Sequence, residues 1–374
     1  MFVVPPARCQ MYPRSRPIGH IPDTLKTTLR GREVSEGDPL HGESFLLHSG
    51  QGGKLLVFCA KTELAVLHQS SYLVCDGTFE MAPNSAYQIY TIHGYTVGGE
   101  GLPLLWALLP NKSTETYSEL FGCLRTALTD CFGDIGRISY VLTDFELAAI
   151  NAVKKLFPEA TVKGCSFHFR QAIMRRVQLE GMKAVYESED DFPDVRRWIR
   201  HIMAISLLPA FTVPLAWRML QFPPVTGQQS VDAKTRSLAT YVDSTWIAGH
   251  FDPQLWTHFD HCGPRTTNLA EGYHNSLNTK FGMPHPSLSS FLDWLQKAQF
   301  EVQCRTIQLA AGQPAKPKSA VYARLDASIQ EAKLRYSQNI GHVFAYLFPR
   351  DDAWQWFHHH TADYLSRVSY LIGA

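Results

Sequence analysis

The sequence has few charged residues, few cysteines and no excess of either charge. Only 18% of its 374 residues are Asp, Glu, Lys or Arg, and the formal net charge is +1. Proteins that bind nucleic acid through phosphate contacts usually have a basic excess, so this balance does not favour DNA binding by the chain alone. Eight cysteines are too few for a disulfide-stabilised scaffold, and we expect a reducing, intracellular compartment.

Long apolar runs and targeting signals are also missing. No run approaches the ~20 apolar residues that span a bilayer, so we expect no membrane association. Residues 1–17 lack a basic start followed by an apolar stretch, which argues against a signal peptide. No cluster of Lys and Arg typical of a nuclear localisation signal is present. The hydrophobic fraction of 45% is enough for globular cores.

Hydrophobic periodicity predicts a mixed sheet in the first half of the chain. Short strand-like runs at 45–47 and 55–58 come first. The later predicted elements are strands over 72–79, 86–97 and 102–109, a helix over 114–131, a strand over 138–142, a helix over 146–157 and a strand over 160–169. The order β-β-β-α-β-α-β, followed by helices, predicts an α/β fold with a ribonuclease H-like mixed sheet.

The pattern divides the chain into five segments, with an all-helical insertion before the last helices of the core. They are 1–40, a loose N-terminal lead-in; 41–170, the first part of the ribonuclease H-like core; 171–262, the helical insertion; 263–305, the last helices of the core; and 306–374, a helical C-terminal segment.

Two aspartates mark neighbouring strands of this predicted sheet. Asp76 lies in the first of the three hairpin-joined strands, and Asp144 ends the fourth, 68 residues later (144 − 76). These strands are neighbours in such a sheet, so the two carboxylates would face one another. Carboxylate oxygens suit Mg²⁺ or Mn²⁺ rather than zinc. The alternatives are a turn at Asp76-Gly77 and a cap at Asp144, where Thr143 and Glu146 fit a capping box.

A third carboxylate comes from a predicted helix that begins near Asn268. On that helix Glu271, His274, Asn275 and Asn278 share one face at i, i+3, i+4 and i+7. Because this face is polar, we expect it to point outward to a cleft. The alternative is an Asn-initiated capping box, in which Asn268 caps the helix and Glu271 closes the box.

Six ordered segments resemble the MULE (Mutator-like element) transposase domain, in particular the branch found in animal genomes. They are DGTF (76–79), YQIYTIHGY (87–95), LPLLWALLPNKSTETY (102–117), LTDFELAAINAVKKLFP (142–158), GCSFHFRQAIMRRVQ (164–178) and RTTNLAEGYHNSLN (265–278). Together with IPDTL (21–25) and GESFLLHSG (42–50), the resemblance covers roughly residues 20–300.

The resemblance implies a DDE triad on Asp76, Asp144 and Glu271 that binds two Mg²⁺ or Mn²⁺ ions. Members of the family cut DNA at element ends and join the 3′ ends to a target. The resemblance therefore also implies DNA as the partner, a homo-oligomer on paired ends, and a location in the nucleus. Members of the animal branch usually carry a FLYWCH-type zinc finger before the catalytic core. Cys9 is the only cysteine before Cys59, so residues 1–58 cannot form such a finger.

The family's Cys-x-x-His motif falls on Cys165 and His168. A zinc site would need further ligands, for which the candidates are His258, His261 and Cys262. We do not expect zinc, because a buried cysteine and a hydrogen-bonded histidine are ordinary at the end of an apolar strand. His168 is instead a candidate for orienting DNA or a catalytic carboxylate. His274, one turn from Glu271, is a candidate for contacting phosphate or the carboxylate.

Basic residues after the fifth predicted strand are candidates for a DNA channel. They are Arg170, Arg175 and Arg176, with Arg196, Arg197 and Arg200 further on. The alternative is a solvated helix face. The tryptophans of the insertion are expected in its core, with stacking on a DNA base as the alternative. These are Trp198, Trp217, Trp246 and Trp256.

Three functions fit these observations. The first is a DDE-type transposase catalytic domain that cleaves DNA and transfers strands. The second is a catalytically silent or domesticated, transposon-derived protein that binds DNA or chromatin, which the near-neutral charge favours. The third is a ribonuclease H-type nuclease acting on RNA–DNA hybrids, against which the long helical insertion counts.

Overall fold

A computed structural model describes residues 21–38, 40–188, 190–281, 284–317, 319–346 and 353–372, with the side chains of 341–346 and 353 left aside. Residues 1–20 of the expected lead-in lie outside this range. The chain forms two compact units. The first, the sheet unit, runs to Val162 and resumes over Thr266–Lys316; the second, the helical unit, comprises Lys163–Arg265 and resumes at Pro317.

A seven-stranded mixed sheet is the centre of the described part of the sheet unit. Its strands are β1 (Leu46–Gly50), β2 (Leu55–Phe58), β3 (Tyr72–Thr78), β4 (Gln88–Tyr95), β5 (Gly101–Leu109), β6 (Tyr140–Thr143) and β7 (Thr161–Gly164), in which the boundary between the units falls. Their order across the sheet is β1-β2-β5-β4-β3-β6-β7. Neighbours from β1 to β3 pair antiparallel, whereas β3 and β6 pair parallel.

Helices make up most of the remainder. They are α1 (Leu29–Glu33), α2 (Lys61–Gln69), α3 (Thr114–Phe132), α4 (Leu147–Leu156), α5 (Ser166–Leu179), α6 (Lys183–Glu187), α7 (Pro193–Ala204), α8 (Val213–Leu220), α9 (Gln229–Val242), α10 (Pro253–Trp256), α11 (Asn268–Phe281), α12 (Leu288–Ala310), α13 (Ala320–Tyr346) and α14 (Ala353–Ile372). Short 3₁₀ turns cover Asp23–Leu25, Ile205–Leu207 and Ala210–Thr212, and a π turn covers Asp243–Ile247. No helix in the described ranges is both long and apolar enough to cross a membrane.

Helix α3 shows how local sequence sets these boundaries. The hydroxyl of Ser113 accepts a hydrogen bond from the backbone N–H of Thr116 at 3.2 Å, so the helix starts after it. Gly133 ends the helix at φ 88°, a left-handed conformation that favours glycine. Tyr117 and Phe121 share its buried face and meet Tyr90 of β4 at ring distances of 5.2 and 6.3 Å. This face fixes α3 on one side of the sheet.

The structure confirms a mixed α/β fold. The four strands predicted from residue 72 to 142, and the two helices predicted over 114–131 and 146–157, are present within a few residues of their expected bounds. The sequence analysis did not predict α2. The backbone N–H of Ala60 donates to the Glu63 carboxylate at 3.0 Å at the start of that helix.

The fifth predicted strand, over 160–169, is wrong in its second half. Strand β7 ends at Gly164, and α5 begins at Ser166. The backbone N–H of Ser166 donates to the Arg265 carbonyl at 2.8 Å instead of continuing the ladder. The buried residues Phe169, Ile173 and Val177 recur every four positions, which is the helical pattern. Apolar residues also alternate in CSFHF, a pattern that is typical of a strand.

The helical unit has an aromatic core, as expected for the tryptophans. Trp198, Trp217, Trp246 and Trp256 are all buried. The ring of Trp256 stacks on Phe169 with centroids 4.9 Å apart. The C-terminal helices belong to the same unit, since the Tyr364 hydroxyl of α14 donates to the Leu207 carbonyl at 2.6 Å.

Candidate active site

The register between β3 and β6 brings Asp76 and Asp144 level in the sheet unit. Val74 pairs with Leu142 in the parallel ladder. Continuing that register by two residues sets Asp144, one position past β6, opposite Asp76 on a strand about 4.8 Å away. Side chains alternate along a strand, so Asp76 and Asp144 point to the face on which Val74 and Leu142 lie. The expected neighbourhood of the two strands is confirmed.

Helix α11 covers this face through its smallest buried residue. Ala270 is fully buried and packs against Val74 and Leu142. An alanine lets the helix backbone approach the sheet closely, so the next residue, Glu271, starts from a backbone held beside β3 and β6. The helix that bears Glu271 therefore packs on the face of the sheet on which Val74 and Leu142 lie.

Asp76 is buried in an ion pair with His274. Its carboxylate Oδ2 lies 3.3 Å from His274 Nδ1, and the two side chains are only 9% and 8% exposed. His274 Nε2 lies 3.0 Å from the Thr91 hydroxyl, which donates at 3.4 Å to the Asp76 carbonyl. A hydroxyl that donates to a carbonyl must accept from the ring, so the arrangement suits an imidazole carrying both protons.

Asp76 is not part of a turn, because Asp76 and Gly77 both lie inside β3 and pair with Thr91 and Tyr90. His93, two residues further along β4 than Thr91, is fully buried. Burial, together with the charge of nearby His274, lowers the pKa of His93 to about 3. His93 is therefore a neutral neighbour of the ion pair.

Asp144 lies in a turn between β6 and α4. Its Oδ1 accepts a hydrogen bond from the backbone N–H of Glu146 at 3.2 Å, and Glu146 is the N-cap of the helix. The predicted capping box from Thr143 is wrong, because this turn delays the start of α4 to Leu147. Glu146 pairs with Lys112 at 2.9 Å. Burial raises the pKa of Glu146. The positive charge of Lys112 opposes this shift, and the charge of Asp144 adds to it.

Glu271 lies in the first turn of α11. Its backbone N–H donates to the Thr267 carbonyl at 2.9 Å, and the Thr267 hydroxyl donates to Glu271 Oε1 at 3.1 Å. Asn268 is already helical, so the alternative of an Asn268 capping box is wrong. The side chain of Glu271 is half-buried.

Only part of the polar face of α11 points outward as expected. His274 is buried against β3 and β4, and Asn278 donates to Glu80 at 3.2 Å, whereas Asn275 is exposed. The close approach at Ala270 turns this face toward the sheet. Polar residues pack there because Asp76 and Thr91 provide polar partners.

The Cys-x-x-His residues lie in the helical unit. Cys165 is the buried N-cap residue of α5, and His168 lies in its first turn, so the expected strand-end position is wrong. His258 and His261 each direct Nε2 to a backbone carbonyl, of Gly164 at 2.8 Å and Pro264 at 2.9 Å. Cys262 is exposed.

The three arginines on α5 differ in their surroundings. Arg170 donates to the carbonyls of Ser166 and Ile372, and Arg176 pairs with Glu180 and lies over the ring of Tyr241. Arg175 is exposed. Within the helical unit, only Arg175 of the three keeps the character of a solvated surface charge.

Two residues of the site did not emerge from the sequence. Thr91 lies opposite Asp76 in the β3–β4 ladder and contacts His274. Lys112 follows β5 and pairs with Glu146 next to Asp144. The register of the β3–β4 hairpin was the signal for Thr91, because pairing any two residues of the hairpin fixes its partner.

The candidate donors are of the chemical type that a hard divalent cation prefers. Three carboxylates lie on β3, after β6 and on α11, and oxygen ligands are what Mg²⁺ and Mn²⁺ prefer. One oxygen of Asp76 already faces His274, so a cation would share that carboxylate with the imidazole.

The sheet unit is a mixed α/β domain in which Asp76 lies on β3, Asp144 directly follows the parallel neighbour β6, and α11 packs on both strands. Residues 72–172 match the family model of the MULE transposase domain, which confirms the resemblance over this segment. The matched range includes Asp76, Asp144, Cys165 and His168, whereas Glu271 lies beyond it. No curated protein matches the chain.

Proposed function

We propose that the sheet unit is the catalytic domain of a DDE-type transposase that cleaves DNA and transfers its strands. The observation that carries the proposal is the parallel pairing of Val74 with Leu142, because extending this register by two residues would set Asp76 level with Asp144. Helix α11, which bears Glu271, packs against the same two residues through Ala270. The strand order β5-β4-β3-β6-β7 supports the finer assignment to a ribonuclease H-like fold. The family match over residues 72–172 supports the reaction class.

In this proposal Asp76, Asp144 and Glu271 would hold two Mg²⁺ or Mn²⁺ ions. Such ions activate the attacking oxygen and stabilise the leaving oxygen of the phosphodiester. The turn that binds Asp144 to the Glu146 amide limits the rotation of its carboxylate. His274 is a positioning residue, because it touches Asp76 and Thr91 and would fix the orientation of the Asp76 carboxylate. Residues Thr267 and Lys112 would orient Glu271 and Glu146 in the same way.

The proposal includes DNA as the partner, as transposon ends and target, with copies of the chain assembled on paired ends. It also includes a nuclear location, where that DNA lies.

A second function has one observation in its favour: the Asp76 carboxylate is nearly inaccessible and already paired with His274. A catalytically silent DNA- or chromatin-binding protein would tolerate that pairing.

The test is strand cleavage by the full chain on supercoiled plasmid and on oligonucleotides, with Mg²⁺ or Mn²⁺. Asp144→Asn keeps the size of the side chain and removes its charge. We expect it to lower the rate by at least about 10²-fold, as losses of electrostatic groups at reaction centres do. Asp130→Asn, at an exposed aspartate of α3, is the matched control and is expected to cleave like the wild type.

A second measurement separates the two functions. Mn²⁺ should raise the melting temperature of the wild type and of Asp130→Asn, and raise that of Asp144→Asn much less, because a ligand stabilises the state that binds it. A folded wild-type protein that binds DNA, cleaves none and gains no stability from Mn²⁺ would contradict the transposase proposal and support the silent binding protein.

A further inference from the structure

A pocket of about 350 Å³ lies within the helical unit, between helices α5, α6, α7 and α14. Phe167, Arg170, Gln171 and Met174 line it from α5, at the i, i+3, i+4 and i+7 spacing of one helix face. Arg200 lines it from α7. Its size falls in the range of pockets that hold small ligands, about 300–1,000 Å³.

The pocket carries positive charge without a compensating acid. All of its lining residues are in the described part of the chain, and none is Asp or Glu. Arg170 donates to the carbonyls of Ser166 and Ile372, both uncharged acceptors. The Nε of Arg200 is buried and has no hydrogen-bond partner among the described residues. By contrast Arg197, on the same helix, is exposed and pairs with Asp194.

Guanidinium groups of this kind suit a phosphate. Arginine presents planar, paired N–H donors that match phosphate oxygens, and a desolvated guanidinium without an anion is unfavourable. The hydroxyl of Tyr186 and the amide of Gln171 add neutral polar groups to the lining. One end of a ligand in this pocket is therefore expected to be anionic.

The remaining wall is apolar and adaptable. Phe167 offers an aromatic ring. Met174 and Met203 offer flexible thioether side chains that can adapt to the shape of a ligand. Nucleic-acid bases stack on aromatic rings of this kind. A ligand with a phosphate and a flat ring system would satisfy both parts of the pocket.

We propose that this pocket binds a nucleotide, with the phosphate at Arg170 and Arg200 and the base against Phe167 and Met174. The nucleotide is either free or a unit of a single DNA strand, and the chemistry of recognition is the same. Only the second source rests on the proposed function. The site uses no carboxylate of the sheet unit, so it stands or fails independently of strand cleavage.

The experiment uses the full chain carrying Asp144→Asn, so that cleavage does not disturb binding. The probes are dAMP, deoxyadenosine, inorganic phosphate and a labelled single-stranded decanucleotide, measured by calorimetry or fluorescence anisotropy. Arg200→Gln removes the unpaired charge, and Gln171→Glu places an anion in the pocket with almost no change of shape. Arg197→Gln is the matched control on α7. Circular dichroism checks that each variant folds.

We expect dAMP to bind more tightly than deoxyadenosine or phosphate. Arg200→Gln and Gln171→Glu should each weaken it by about tenfold or more, while Arg197→Gln leaves it within about twofold. If binding of the decanucleotide depends on Arg200 and dAMP does not compete with it, the nucleotide in the pocket is a unit of a DNA strand. If dAMP displaces the decanucleotide, the pocket accepts both the free nucleotide and the strand. The proposal is overturned if neither dAMP nor the decanucleotide binds, or if phosphate alone binds as tightly as dAMP. It is also overturned if Arg200→Gln and Gln171→Glu both bind dAMP as tightly as Arg197→Gln does.

Discussion

Two buried carboxylates of the sheet unit have different neighbours, and the difference separates a structural acid from a candidate cation ligand. Glu63, in the first turn of α2, is 1% exposed and accepts from the Ala60 backbone N–H and from Gln299 of α12, both at 3.0 Å. These donors are neutral, and burial raises the pKa of Glu63 to about 7. Asp76, on β3, is 7% exposed but faces the imidazole of His274.

A buried carboxylate keeps its charge only where a cation or several donors replace water. Burial favours the protonated form of Glu63 up to about pH 7, although both of its hydrogen-bond donors oppose this, and Glu63 joins α2 to α12 as a hydrogen-bonding group. Asp76 directs one carboxylate oxygen to the ring of His274, and a metal ion could bind the same carboxylate. Burial alone therefore does not identify a candidate functional acid, and the neighbours of the carboxylate have to be compared as well.

The largest expected effect is a pH-dependent gain in stability from Glu63→Gln. The folded-state pKa of about 7 lies above the unfolded value of 4.5, so the folded protein keeps a proton that the unfolded chain loses. The wild type therefore loses stability as pH rises from about 4.5 to about 7, and stays at that lower level above it. Relative to the wild type, the free energy of unfolding of Glu63→Gln should rise by about 2–3 kcal/mol between pH 5 and 8.

The geometry allows this substitution without loss of hydrogen bonds. Gln299 Oε1 is buried and has no hydrogen-bond partner among the described residues, so a flip of its amide would accept from the new Gln side chain. Urea unfolding at pH 5 and pH 8 gives the result, with Glu33→Gln at an exposed position as the control. An advantage that is equal at both pH values would show that Glu63 does not titrate in this window.

The second largest effect is expected from a substitution in α11, next to the strand that carries Asp76. Ala270→Leu inserts a large side chain where α11 meets Val74 and Leu142, and should lower the free energy of unfolding by about 1–3 kcal/mol. Because Glu271 follows directly, the same change should also lower cleavage more than tenfold. Ala239→Leu, at a similarly buried alanine of α9, is the control: it should destabilise while cleavage persists. Full cleavage by Ala270→Leu would show that the seating of α11 does not position Glu271.

The sequence predicted the parts of this site that depend on backbone periodicity. The spacing of Asp76 and Asp144 equals the register offset of β3 and β6, so their alignment followed once the strands were taken as neighbours. Cys165 and His168 were misplaced because CSFHF alternates like a strand before the helical pattern of α5 becomes apparent. A five-residue window holds both patterns, and only the length of the run distinguishes them.

Contacts between side chains far apart in sequence were not predictable in this way. His274 was expected to point outward because its neighbours on α11 are polar. Nothing in the local sequence showed that the Thr91 hydroxyl, on a strand, would accept a hydrogen bond from the ring of His274. The pocket of the helical unit is a stronger case, since Arg170 and Arg200 lie with Ser369 of α14. Such groupings arise from helix packing, which no single periodicity encodes.

The smallest effect is expected from Thr91, which contacts the partner of Asp76, His274. Thr91→Val keeps the shape of the side chain but removes the hydroxyl that contacts His274 Nε2 at 3.0 Å. We expect a loss of about 1 kcal/mol in the free energy of unfolding, since a buried ring N–H then lacks its partner, and Thr91→Ser should retain most of it. In a His274→Ala background the same change should cost little, because the partner is already gone. A double-mutant cycle by urea unfolding measures this coupling, and additive effects would show that Thr91 does not act through His274.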